Sequence, residues 1–195
     1  MRRFLTLIIS ICLSLAVAVP ASYATGTKEI NGVYHQLKQL TEAGDYKDAL
    51  PVAETLVRLC REYFGGDDPR TAEAWKEYAD VCENLSKPDE AEKAMRETLR
   101  ITEKAVGQES KPTAVELNNL GEFYKRLGRY KESEPLLKKA LEIHKKLLGL
   151  DNDQTVICLN NLGELYKATR DYAKAEPLTG PSPCLSRRFK FDEKF

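Results

Sequence analysis

Two histidines, five cysteines, thirty carboxylates and thirty Lys or Arg side chains hold whatever chemistry this chain of 195 residues could perform. The histidines, His35 and His144, stand 109 residues apart. His144 falls on an apolar helical stripe, where a packed core imidazole is expected. After Cys12 come Cys60, Cys82, Cys158 and Cys184, at intervals of 22, 76 and 26 residues, with no Cys-x-x-Cys pair. No His/Cys spacing suits zinc, so a metal centre is not expected. An oxidising compartment would permit a disulfide. The cysteine positions otherwise read as small buried side chains on helices, with Cys184 in a tail. The carboxylates alternate with lysines as on a wet helix surface. No glycine-rich phosphate loop follows a strand, because no segment reads as a strand. An enzyme must bring a nucleophile and base, a carboxylate pair or a metal together. This sequence offers no such set, so no catalysis, cofactor or small-molecule substrate is expected. The balanced charge also argues against nucleic acid, whose partners carry a basic excess.

The elements that would position these side chains follow from a repeat. Shifted by 42 residues, Leu117-Asn118-Asn119-Leu120-Gly121-Glu122-Phe123-Tyr124 falls on Leu159-Asn160-Asn161-Leu162-Gly163-Glu164-Leu165-Tyr166, and one step earlier on Trp75 to Cys82. Gly65, Gly107 and Gly149 share a column, as do Thr71, Thr113 and Thr155. Tyr46, Tyr130 and Tyr172 share another. A fixed period held across several columns signals a solenoid. Within one unit, Leu117, Leu120, Gly121 and Tyr124 share a helical face. Leu127-Gly128-Arg129 then makes a stop. Tyr130, Ser133, Leu137, Ala140, Leu141, His144 and Leu148 form the stripe of a second helix that ends at Gly149. Asp68, Ser110 and Asn152 share a column, and each can cap a helix start. Pro69 and Pro112 fall just inside two of those starts, where a missing amide proton costs little.

The fold class is therefore all-α, a solenoid of helix pairs with units at about 29–65, 68–107, 110–149 and an incomplete 152–178. Gln36 stands where Tyr78, Leu120 and Leu162 stand in the other units. A polar residue there marks an end unit. Beyond Leu178 the pattern dissolves into Thr179-Gly180-Pro181-Ser182-Pro183, and 179–195 is expected to be an irregular tail. At the other end, Arg2 and Arg3 precede an uncharged run from Phe4 to Val19, then Ser22-Tyr23-Ala24. This reads as a signal peptide, residues 1–24, cut after Ala24 and followed by a linker at 25–28. The run is shorter than the ~20 residues that span a bilayer, so membrane attachment is expected only if the segment stays uncleaved. Loss of Arg2 and Arg3 leaves the mature chain two negative charges in excess.

These motifs resemble the tetratricopeptide repeat (TPR), whose pattern runs W-x2-L-G-x2-Y and then A-x3-F. Leu117, Leu120, Gly121 and Tyr124 match its first part, as do Leu159, Leu162, Gly163 and Tyr166. Trp75 supplies the tryptophan once, and Ala49, Ala91 and Ala175 the later alanine. The period of 42, with Leu-Asn-Asn-Leu-Gly, Tyr-Lys-Glu-Ser-Glu-Pro-Leu and Lys-Ala-Leu-Glu-Ile, resembles the long repeats of kinesin light chains, here in a bacterial, exported form. The signal segment departs from those cytosolic proteins, so a motor-adaptor role is not implied. The resemblance implies a right-handed superhelix whose first helices line a concave groove for a protein or an extended peptide. It places Tyr34, Lys38, Lys76, Asp80, Asn118, Glu122, Lys125, Asn160, Glu164 and Lys167 in that groove, with Glu83 beside them. Asparagine would clamp a peptide backbone through its amide. Lysines would meet acidic side chains and glutamates basic ones. As a solvated face, the same residues would form intrahelical pairs such as Glu122 with Lys125. The expected function is a docking scaffold in the periplasm or outside the cell, within an envelope or secretion complex. The alternative is a shortened piece of a longer array, which would expose an apolar face on residues 155–168 and self-associate.

Overall fold

The computed structural model describes residues 21–179, with side-chain surroundings for 26–178. The apolar run, and the tail from Gly180 on with Cys184, lie outside the described residues; so do the side chains around the expected cleavage point. Among the described residues there are eight helices and no strand: α1 (Ala21–Ala43), α2 (Tyr46–Phe64), α3 (Pro69–Asn84), α4 (Pro88–Val106), α5 (Lys111–Arg126), α6 (Tyr130–Leu148), α7 (Asp153–Ala168) and α8 (Tyr172–Thr179). Each packs against the next in chain order, giving the pairs α1/α2, α3/α4, α5/α6 and α7/α8. Residues 25–28, expected to be a linker, are helical and belong to α1. Gly26 lies against the Tyr63 ring so closely that a Cβ there would clash, and the missing side chain lets this first turn dock on α2. No helix among the described residues is long and apolar enough to cross a membrane.

Local chemistry sets each boundary. The side chains of Asp68, Ser110 and Asn152 accept hydrogen bonds from the amides of Arg70, Thr113 and Gln154 at 2.9, 3.3 and 3.0 Å, satisfying first-turn donors. The threonine column has its own task. The hydroxyls of Thr71, Thr113 and Thr155 donate to the carbonyls of Gly65, Gly107 and Gly149 at 2.7–2.8 Å. Each bond ties the end of one unit to the start of the next. All three threonines are fully buried. Within each pair the chain reverses through a left-handed residue, at Gly44, Ser86, Gly128 and Arg170. The amide that follows bonds back five residues, as from Arg129 to the Tyr124 carbonyl at 2.9 Å.

The core is a string of four apolar clusters, not one ball, as stacking of neighbours requires. Gly121 marks a close approach of α5 to α6. A Cβ there would stand 2.8 Å from Leu137 Cγ, while Ser133 Oγ donates to the Gly121 carbonyl at 2.6 Å. Polar links bridge successive pairs at the same register. Tyr124 donates to Glu92 at 2.8 Å, and Tyr166 to Glu134 at 2.9 Å. In the first junction the equivalent residues are Cys82 and Leu50, which meet as an apolar contact. Cys60, Cys82 and Cys158 are buried free thiols, and burial pushes that of Cys158 up to about 11. The fourth pair differs from the expected open apolar face over 155–168. Ala175 and Leu178 of the short α8 pack with Leu162, Leu165 and Tyr166, which are buried. Of that stretch only Ile157 is an exposed large apolar side chain.

Candidate functional site

The first helices of the pairs stand side by side, joined by polar side chains that follow the repeat. Glu77, Asn119 and Asn161 form one column. Glu77 receives Lys38 Nζ at 2.8 Å and the Tyr34 hydroxyl at 3.4 Å, so α3 is tied to α1. Asn161 donates through Nδ2 to Asn118 Oδ1 at 3.0 Å and accepts from Lys125 Nζ at 3.1 Å, which ties α7 to α5. Arg126 of α5 reaches Glu83 of α3 in the same way. Along this wall lies an open concavity of about 510 Å³, lined from α1, α3 and α5 and from the flanks of α2 and α4.

The groove residues expected from sequence divide in their placement. Lys38, Lys76, Asp80, Glu83 and Glu122 line the concavity. Tyr34 stands beside it, half open to solvent, with the Lys38 ammonium 5.4 Å from its ring centre. Asn118 is 6% exposed and its carbonyl is taken by Asn161. Lys125 bonds Glu164 of α7 at 2.5 Å, and not Glu122 on its own helix. Asn160, Glu164 and Lys167 are exposed on α7, further along the array. Sequence reasoning missed Glu77, Asn119 and Asn161, one residue past each expected groove position. It also missed Glu116 and Arg126, which line the concavity too. The signal was present in the doubled asparagines of Leu-Asn-Asn-Leu. The expected groove position is the first asparagine of each doublet; the second lines the concavity at Asn119 and bonds across to α5 at Asn161.

The sequence profile of the tetratricopeptide repeat matches residues 33–104 and 113–178, most of the chain. The chain belongs to the tetratricopeptide repeat family. Among solved structures it is similar to BtubC (BKLC) from P. vanneervenii, with 22% identity and a TM-score of 0.71 over 80% of this chain. It spans 62% of that protein's chain, less than two thirds. It is also similar to the nearly identical TPR-like repeats assigned to a kinesin light chain of Podosopora anserina. There the identity is 16% and the TM-score 0.68, over 83% of this chain and 86% of that one. At these identities the likeness is one of fold. No curated protein matches the sequence.

The charge of the TPR groove is set by which pairs close internally. Lys38 is committed to Glu77 and Arg126 to Glu83. Lys76 makes only a loose pair with Glu73 at 3.8 Å. Asp80, Glu116 and Glu122 share the concavity and have no cation within ion-pair distance among the described residues; Glu116 has only an Asn119 amide at 3.5 Å. Asp80 opens to solvent on one side. Partial desolvation between the groove walls nevertheless raises its pKa, and Glu77 and Glu83 add repulsion. Desolvation raises Glu116 as well, against the pull of Lys76. A carboxylate whose proton is held this way gains from a cation arriving from outside. Among the described residues no three His, Cys, Asp or Glu side chains are grouped as a metal would need.

Proposed function

We propose that this protein is a docking scaffold whose groove, lined by α1, α3 and α5, holds an extended segment of another protein that carries basic side chains. TPR proteins bind protein partners, and the observation that supports this reading is the surplus of Asp80, Glu116 and Glu122 beside Lys76 alone. The internal bonds at Glu77, Asn161 and Glu83 hold the wall in shape before a guest arrives, which lowers the ordering cost of binding. Arg2, Arg3 and the uncharged run from Phe4 to Val19 support a place outside the cytoplasm. Mass spectrometry of the mature N-terminus is expected to find Thr25 first.

Calorimetric titration with an extended Lys/Arg-containing peptide tests the groove. Binding is expected to weaken with added salt, and Asp80→Asn with Glu122→Gln to weaken it on the order of three- to tenfold. Equal affinity for an acidic peptide of the same length would end this reading.

A further inference from the structure

A second concavity shares no lining residue with the groove. It lies between α2 and α4, the second helices of the first two units, over Trp75 and Tyr78 of α3, and holds about 570 Å³. The two rings meet edge to face with centroids 5.8 Å apart. The same notch recurs one unit on, between α4 and α6 over Leu120, where it holds about 450 Å³. The repeat allows a position-by-position comparison. Val57 stands where the second notch has Leu99, and Tyr78 where it has Leu120. Arg61 replaces Glu103, and Lys93 replaces Pro135. Trp75 stands in the column of Leu117, which is sealed at 2% exposure and does not line the second notch, whereas Trp75 is only partly buried.

The first notch is therefore roomier, floored by the partly open Trp75 and Tyr78 where the second has Leu120 and the sealed Tyr124, and cationic at Arg61 and Lys93, while the second carries Arg96 in place of Glu54. Its other rim charges are largely used. Arg58 bonds Glu62 at 3.1 Å, and Lys87 pairs with Glu90 at 3.5 Å. Arg61 and Lys93 have no anionic partner among the described residues, against one unpaired carboxylate, Glu54. In the second notch Glu103 has its cation in Lys139 at 3.5 Å. A partly open aromatic floor favours an apolar side chain, and unmatched cations on its rim favour a carboxylate next to it.

The geometry points to a second docking site on the outer face of the array, a notch over Trp75 and Tyr78 that takes an apolar side chain flanked by a carboxylate from a partner protein. It is independent of the groove, and its preferred charge is the opposite one. A guest could thus be held at a basic stretch inside and an acidic, apolar stretch outside, each site adding to the other's affinity.

Trp75 is the only tryptophan in the chain, so its emission reports this notch directly. A short peptide with Leu or Phe between two Glu residues is titrated into the full chain, and the same peptide with Lys in place of Glu serves as the control. The Glu peptide is expected to shift or quench the emission saturably, and the Lys peptide to bind about tenfold more weakly or not at all. Val57→Leu gives the first notch the side chain that its own repeat carries at Leu99 and Leu141, so the fold tolerates it, and by narrowing the notch it is expected to weaken the response. Arg61→Glu with Lys93→Glu is expected to remove it, while Asp80→Asn with Glu122→Gln leaves it unchanged. No saturable response to the Glu peptide, equal response to the Lys peptide, or full binding by the Val57→Leu protein would each overturn the proposal. Loss of binding in the Asp80/Glu122 variant alone would assign the peptide to the groove.

Discussion

His144 of α6 is 1% exposed, and neither of its ring nitrogens has a hydrogen-bond partner. Cys60 and Thr102 stand in its column, so two other units close the same position with small side chains. Burial disfavours the imidazolium, and Lys111 adds repulsion, so its pKa falls below the ordinary 6.5. The unfolded chain then takes up the proton more readily than the folded one. The stabilising share of neutral His144 is fully present above pH 6.5 and is lost as the pH falls from there through the lower folded value. Urea unfolding at pH 8 and pH 5.5 is expected to show a smaller loss of stability in His144→Leu than in the parent. The variant should also be the more stable at pH 8, by about 1 kcal/mol, because two unsatisfied buried nitrogens are gone. Equal pH slopes for the two proteins would mean that the imidazole is hydrated in solution. That His144 sits in the core was readable from its place on an apolar stripe. That it lacks a partner was not, because the missing acceptor would have to come from another helix.

At the scale of the helix pair, the reversal between first and second helix always needs one left-handed residue. Gly44 and Gly128 take φ of +78° and +73° at no steric cost, while Ser86 and Arg170 take +56° and +60° at the same register. Ser86→Gly is expected to raise stability by about 0.5–1 kcal/mol, seen as a higher melting temperature, provided that relief of the Cβ clash outweighs the freer unfolded chain. Arg170→Gly should act in the same direction, but mainly on the fraying of the last pair. A lowered melting temperature for Ser86→Gly would show that its side chain supports the turn. Glycine, threonine and capping columns made most of this fold legible, because each does its work within a few residues of itself. Ser86 was invisible for the converse reason, since an ordinary residue was forced into the turn by the packing on either side. The Asn118–Asn161 bond was equally hidden, as it depends on the rotation between neighbouring units.

Across the whole array, a unit is stable only if its apolar side is covered by the next one. Tyr130 and Tyr172 share a column, yet Tyr130 is packed against the cluster formed by α7 and α8, whereas Tyr172 is 64% exposed. Val115 is partly buried in α5, and its counterpart Ile157 in α7 is 43% exposed. Leu147 and Leu150, just before α7, are open too. For Tyr172 and Ile157 the contrast with Tyr130 and Val115 marks positions that the next unit covers within the array. Self-association through this end is therefore expected as concentration rises, driven by apolar area and so little affected by salt. Sedimentation velocity should show a concentration-dependent dimer that Ile157→Glu with Tyr172→Lys converts to a monomer, with helix content unchanged. Both substitutions lie far from the groove and from Trp75 in register, so peptide binding at those sites should survive them. A parent chain that stays monomeric across the same concentration range would show that Ile157 and Tyr172 do not drive association.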